Sequence, residues 1–344
     1  MEIVDRKFLN TPTRSVHAAT IEFWDSKPVI AWFGGSREGA EDVAIYVNNL
    51  HGEDELTILG SRDHMPRWNP ILFAYDDRLH LFEKAGIFCD RWQTFIHDTT
   101  EWDTKTPEKQ MREECYTLPA GMNGPVKTKP VIDHKGNIVC GSAVETFSDW
   151  TSYFEYFSIK GGKWETLGRT NPIAVEERVG YIQNGRSGVS LGIIQPALWL
   201  ENIDDDYEEC DLDGINAFFR SSNGLPNLYY AYMKNEKVVG PFKTNLLNPN
   251  SGVDVVKYDD RLFLVSNPSS TLRNPLVVQE IRKISNTEWE VVDEIVIRES
   301  IEEKDHRACI SQELSYPYMI ENDGKLHLVY TYGRSRIEYC IISL

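Results

Sequence analysis

The chain has 344 residues, 41% of them hydrophobic, and a formal charge of −17. Length and apolar share support a sizeable core. The acidic balance sets nucleic acid and anionic membrane surfaces aside as general partners, and no stretch approaches the roughly 18 apolar residues of a spanning helix.

The first residues, Met1-Glu-Ile-Val-Asp-Arg-Lys-Phe8, lack the apolar run of a secretory leader, so a cytoplasmic protein is expected. From His17 onward one phrase recurs six times: an apolar strand, an Asp/Gly/Lys/Arg turn, a second apolar strand. Its copies open at His17, Trp68, Lys129, Gln195, Gly252 and Tyr316. They close in Pro28-Val-Ile-Ala-Trp-Phe33, Arg78-Leu-His-Leu-Phe82, Gly136-Asn-Ile-Val-Cys140, Asp213-Gly-Ile-Asn-Ala-Phe-Phe219, Arg261-Leu-Phe-Leu-Val265 and Gly324-Lys-Leu-His-Leu-Val-Tyr330. Pro70, Pro130, Pro196 and Pro317 stand near the start of four of them. A recurring pair of hairpin-linked strands is the signature of a propeller blade, since one blade cannot bury both of its faces. The expected fold is all-β, a six-bladed β-propeller in one domain spanning 1–344.

More polar strands fall between the hairpins: Asp42-Val-Ala-Ile-Tyr-Val47, Trp92-Gln-Thr-Phe-Ile96, Tyr153-Phe-Glu-Tyr-Phe-Ser-Ile159, Leu228-Tyr-Tyr-Ala-Tyr-Met233, Leu276-Val-Val-Gln-Glu-Ile281 and Ile337-Glu-Tyr-Cys-Ile-Ile342. Gly161-Gly162 and Asn286-Thr287 are hairpin signals behind two of them. Helical periodicity is confined to a turn or two at 107–114. Two stretches are irregular. Residues 169–192 are expected to cap a pocket. Residues 201–213, with Asp204-Asp-Asp and Glu208-Glu, read as a solvated loop, because the run lacks the Gly and closing Glu of a calcium loop. The six cysteines show no metal spacing, and Cys140 and Cys340 sit in apolar runs as buried thiols. No cofactor or metal is expected.

The phrases Trp32-Phe-Gly-Gly-Ser-Arg-Glu-Gly39, Trp68-Asn-Pro70, Gly124-Pro-Val-Lys-Thr-Lys-Pro130, Gln195-Pro-Ala-Leu-Trp199, Asn248-Pro-Asn-Ser-Gly-Val-Asp-Val-Val256 and Glu313-Leu-Ser-Tyr-Pro317 resemble the sialidase superfamily with its BNR/Asp-box propeller, in its subgroup of predicted neuraminidases. The Asp boxes are degenerate: Ser158-Ile-Lys-Gly-Gly-Lys-Trp164 keeps Ser, Gly and Trp, and the run ending at Trp289 keeps the Trp. The resemblance implies three arginines around a substrate carboxylate, the geometry for which a guanidinium fork is suited. Arg220 matches the second and Arg273 the third, and His17 takes the place of the first. It further implies Arg37 followed by an acid/base, Asp42, with Glu41 as the neighbouring alternative. A tyrosine nucleophile should precede Ser315, where Leu314 stands, and its activating Glu should fall near Gln195. Sialoside cleavage is therefore expected to be weak or absent.

The expected function is an exo-acting glycoside hydrolase for a terminal acidic sugar. Arg37, Arg220, Arg273, Lys129, Trp68 and Gln195 would bind substrate, and Asp42, His17, Tyr316 and Glu313 would do the chemistry. Glu313, Glu145 or His17 could activate water in an inverting reaction. Two alternatives stand beside it. One is a lyase that opens a uronate with His17 or Tyr316 as base. The other is a glycan-binding propeller without turnover. The expected partner is an anionic oligosaccharide or glycoside, with no nucleic acid and no membrane. Each residue also has a plain structural reading. Trp68 and Trp32 could fill the wedge between blades, the arginines could form ion pairs between blades, and Asp42 could cap a turn.

Overall fold

Each repeat pairs two short apolar runs across a polar turn, the pattern of inner strands buried on both faces. A computed structural model describes residues 1–48, 56–59, 64–98, 115–183, 185–201 and 214–344. Its strands run in chain order as follows. After β1 (Glu2–Phe8), blade I is β2 (Ser15–Trp24), β3 (Lys27–Gly35), β4 (Ala44–Asn48) and β5 (Leu56–Leu59). Blade II is β6 (Arg67–Tyr75), β7 (Arg78–Ala85), β8 (Gln93–Asp98) and β9 (Tyr116–Thr117). Blade III is β10 (Val131–Ile132), β11 (Ile138–Glu145), β12 (Trp150–Lys160) and β13 (Lys163–Arg169), followed by a separate hairpin, β14 (Gly180–Gln183) and β15 (Arg186–Val189). Blade IV is β16 (Ile193–Leu200), β17 (Ile215–Ser221), β18 (Asn227–Lys234) and β19 (Lys237–Leu247). Blade V is β20 (Asp254–Tyr258), β21 (Arg261–Ser266), β22 (Leu276–Lys283) and β23 (Trp289–Arg298). Blade VI is β24 (Leu314–Asn322), β25 (Lys325–Tyr332) and β26 (Arg336–Ser343), with β1 as its fourth strand.

The fold is the six-bladed β-propeller that the repeats imply. All six hairpins and all six third strands fall where the repeated phrase puts them. Among the described residues the helical elements are two single turns, Cys89–Arg91 and Glu303–Asp305. The helical turn expected at 107–114 and the acidic run 204–209 lie outside the described residues.

The chain divides into two compact units: Met1–Lys127 with Arg298–Leu344, and Thr128–Ile297. The first holds blades I, II and VI, and there β2 packs on both β6 and β24. Its core joins Ala31, Phe33 and Ile45 to Leu72 and Leu81. The second holds blades III, IV and V, where β16 packs on β10, β11 and β20. Its core includes Phe218, Tyr230, Val255 and Leu264. The tryptophans of the degenerate Asp boxes are core residues here. Trp164 and Trp289 stand at the starts of β13 and β23 and are buried. Trp289 meets the Phe218 ring edge-on at 4.7 Å.

Four innermost strands share one irregularity. The register slips between His17 and Thr20, Trp68 and Ile71, Ile194 and Ala197, and Ser315 and Tyr318. Each slip holds a non-glycine residue in the left-handed region: Ala18 (φ 52°), Asn69 (37°), Gln195 (55°) and Tyr316 (53°). That conformation costs about 1–2 kcal/mol. In three of the four the next residue is proline, which has no N–H to lose from the ladder at a bulge. Two of the proline carbonyls beside these residues accept from side chains, and the Asn69 side chain itself donates. In the second unit Thr128 Oγ1 donates to the Pro196 carbonyl at 2.6 Å. Gly141 lies beneath it, where a Cβ would stand 2.4 Å from that oxygen. In the first unit Lys127 Nζ donates to the Pro317 carbonyl, and Asn69 Nδ2 donates to the Val126 carbonyl at 2.8 Å.

Blade VI is completed by β1, which pairs antiparallel with β26 from Glu2↔Ser343 to Phe8↔Glu338. Phe8 anchors it. Arg336 lies 4.6 Å and Arg298 5.7 Å from its ring, and Tyr332 meets it edge-on at 5.0 Å. Arg298 is itself held by two bonds to the buried Glu338, at 2.6 and 2.7 Å, and these raise its proton affinity further. Phe8→Ala should lower stability by about 2 kcal/mol, below the cost at a fully enclosed phenylalanine because the ring is 36% exposed. The check is the urea midpoint, which should fall at constant slope.

Burial also pulls His327 below its ordinary pKa, with Nδ1 2.6 Å from the Tyr339 hydroxyl. A histidine kept neutral by the fold contributes stability that is complete above its unfolded pKa of about 6.5 and is lost as pH falls below it. The thermal midpoint of the wild type should drop between about pH 7 and pH 5 more steeply than that of His327→Gln. Parallel curves would refute the assignment.

Candidate functional site

In the first unit the bulge at Tyr316 turns its ring onto His17. The ring centroids are 4.1 Å apart at 47°. His17 is buried, its Nδ1 lies 3.0 Å from the Thr331 hydroxyl, and Phe33 meets it edge-on at 5.6 Å. Glu313, just before β24, accepts from Ser315 Oγ at 2.7 Å and from Arg334 Nε. Arg334 also pairs with Glu38 at 2.5 Å, so the blade I loop at 36–42 is tied to blade VI. Burial pulls the Arg334 proton affinity down, and Glu313, Glu38 and the nearby Tyr316 phenol together outweigh it, for a net rise. On that loop Asp42 accepts from Ser36 N and Ser36 Oγ, both at 2.9 Å, and remains exposed. Gly35 lies close to Asp42 Oδ1, which a Cβ there would meet at 3.1 Å. Arg37 is exposed at the turn.

Arg334 is absent from the sequence reading. Its signal was available: Tyr332-Gly-Arg334 follows the second strand of blade VI as Phe33-Gly-Gly-Ser-Arg37 follows that of blade I. Tyr332 is a different case. Its hydroxyl donates to Asp305 Oδ2 at 2.9 Å and accepts from the Glu302 N–H at 2.8 Å, and burial first pushes it up to about 12. It is a fixed structural group.

In the second unit Arg220 is buried at the end of β17. Its Nη1 donates to Gln195 Oε1 at 3.0 Å and its Nε to Asn250 Oδ1 at 2.8 Å. Arg273 Nη2 donates to the Asn250 carbonyl at 2.8 Å. One asparagine thus brings together the two arginines singled out from the sequence. Trp150 lies under the Arg220 guanidinium at 5.5 Å. Gln195, in the place of the family's activating Glu, orients Arg220.

The other candidates have these surroundings. Lys129 Nζ bonds both oxygens of the buried Asp254 at 2.9 Å, an ion pair between the first strands of blades III and V. Trp68 donates to the Gly86 carbonyl at 2.7 Å and packs against Phe33, Trp92 and Gly39. Trp32 is wholly buried against Tyr46. Glu145 is half-buried at the end of β11 in the second unit. Among the described residues no group of three or more His, Cys, Asp or Glu side chains could hold a metal, and no helix is long and apolar enough to cross a membrane.

The family of BNR repeat-like domains matches residues 28–328. The chain belongs to that family. Solved BNR-type propellers share its fold at low identity. A protein of unknown function from Dyadobacter fermentans superposes with a TM-score of 0.66 at 12% identity, over 99% of this chain and 98% of that one. Trypanosoma rangeli sialidase in complex with the inhibitor DANA superposes with a TM-score of 0.60 at 11% identity, over 96% of this chain and 55% of the sialidase. The chain therefore spans about half the length of that sialidase. No curated protein matches the sequence. At such identities the likeness establishes the propeller, and the residues must carry the chemistry.

Arg220→Lys keeps the charge but loses the planar fork. It should weaken binding of glucuronate about ten- to 150-fold, the range of a charge-assisted hydrogen bond. Calorimetric titration measures this, with the thermal midpoint as the control for folding. Equal affinity in the folded variant would remove Arg220 from ligand binding.

Proposed function

We propose that this BNR repeat-like protein is a carbohydrate-active enzyme, an exo-acting glycoside hydrolase for a terminal acidic sugar. The contact between His17 and Tyr316 is the observation that carries the reading: a titratable imidazole against a half-buried phenol on neighbouring innermost strands. In this reading Tyr316 attacks the anomeric carbon, His17 accepts its proton, and Asp42 protonates the leaving oxygen; water deprotonated by Asp42 then displaces the tyrosine oxygen, which takes its proton back from His17. Arg334 is held by Glu313 and Glu38 at the entry to blade VI, two residues beyond the strand that pairs with Tyr316's own. Glu313 acts through Arg334, to which it is bonded, as a positioning residue. Separately, Arg220 and Arg273 are the proposed carboxylate-binding pair. The substrate is an anionic glycoside, and sialosides are poor substrates because His17 replaces the arginine of proven sialidases.

The same pair favours one second reading. With its proton passed to His17, the Tyr316 phenolate can take the C5 proton of a uronate while the C4–O bond breaks and the imidazolium protonates the departing oxygen, which makes β-elimination the alternative reaction. The products separate the two. Hydrolysis of an aryl glucuronide releases the aryl group without new absorbance from the sugar, and elimination from a uronate-containing oligosaccharide leaves an unsaturated uronate absorbing in the near ultraviolet. Tyr316→Phe should lower kcat at least 100-fold in either reaction, the lower end of a proton-transfer contribution. If glucuronate binds and neither substrate is converted, the enzymatic reading fails and a glycan-binding propeller remains.

A further inference from the structure

The second unit contains a cavity of about 290 Å³ that the reading above leaves unused. The hairpin β14–β15 forms one side with Tyr181. Asn223 and Asn250 form another, and Ser270 and Thr271 stand at the rim. No charged residue lines it among the described residues. The aromatic wall depends on two glycines. A Cβ at Gly188 would fall 2.6 Å from Tyr181 Cζ, and one at Gly224 would fall 3.3 Å from Tyr181 Cδ1, so the ring lies against bare backbone. The amide wall is oriented too. Asn250 Nδ2 donates to Asn223 Oδ1 at 3.0 Å, which turns the Asn223 Nδ2 donor away from that bond. The Ser270 and Thr271 side chains are exposed.

An aromatic face, oriented amides and rim hydroxyls without charge suit a neutral, hydroxylated ring with one apolar face. The volume lies at the bottom of the roughly 300–1,000 Å³ range of small-molecule sites, so it fits one ring rather than a chain. Asn250 belongs to this wall and also bonds Arg220 and Arg273. We propose that the cavity is a subsite for a neutral pyranose, adjoining the sugar acid held by the two arginines. The substrate is then at least a disaccharide in which an acidic residue is joined to a neutral one. The adjoining acid rests on the function proposed above, and the neutral subsite can be tested alone.

The probes are methyl galactopyranoside, methyl glucopyranoside and methyl mannopyranoside, with glucuronate as the acidic control. Ligand-observed NMR on the full chain reads their saturable binding. At least one neutral glycoside should bind the wild type. Asn223→Ala should weaken it about three- to tenfold, the range for one neutral hydrogen bond. Tyr181→Ala should weaken it further, and Arg220→Lys should weaken glucuronate. Thr271→Ala, at the exposed rim, serves in place of Tyr181→Ala if that variant does not fold. The proposal is overturned if no neutral glycoside binds, or if folded Asn223→Ala and its companion variant bind like the wild type. Glucuronate binding indifferent to Arg220→Lys would instead overturn the acidic-sugar reading and leave the neutral subsite standing.

Discussion

The constraint on which the remaining architecture depends is the bulge in the innermost strands. A regular strand sends successive side chains to opposite faces. One extra residue in the left-handed region breaks that alternation and re-aims a side chain. Tyr316 meets His17 through such a bulge, and Gln195 is the bulge residue that meets Arg220. The local strain is offset by what the adjoining carbonyls acquire, a threonine hydroxyl at Pro196 and a lysine ammonium at Pro317. The propeller thus uses the same backbone device for packing and for placing reactive groups.

The cations divide by how they are held. Lys129 is bonded to Asp254, and Arg334 to Glu38 and Glu313, so carboxylates offset their charge locally. Arg220 is oriented by two carboxamides, Gln195 and Asn250, and Arg273 by a backbone carbonyl. Each of these partners fixes its cation by a directed hydrogen bond, in a chain whose overall charge is −17.

The blades were legible because inner strands buried on both faces read as short apolar runs between turn residues, and because the repeat places each strand six times over. The bulges were only half legible: proline marked three of them, while Ala18 carries no such mark. Residues at second-strand ends, Arg220 among them, stood out by their repeat position. Arg334 stands at the corresponding place in blade VI, but its tie to Glu38, 296 residues away in sequence, is visible only in the fold. The tryptophans illustrate the opposite limit. Composition suits them equally to sugar stacking and to filling a wedge, and only their neighbours distinguish the two. Trp32 and Trp68 turned out to have theirs from the blades themselves. The hairpin at 180–189 lay inside a stretch marked as irregular, because Gly185 and Gly188 dilute its alternation.

Strand β1 closing on β26 makes one unit discontinuous in sequence and leaves the other continuous. During synthesis the second unit is complete once Ile297 has emerged. The first must keep Met1–Lys127 waiting until Arg298–Leu344 arrives to supply the rest of blade VI. Its defining contacts have the greatest possible sequence separation, which slows their formation and leaves the β1-pairing edge of β26 as the last to be covered. Maturation therefore departs from residue order: Thr128–Ile297 can pack before Met1–Lys127, which is made earlier but waits for Arg298–Leu344.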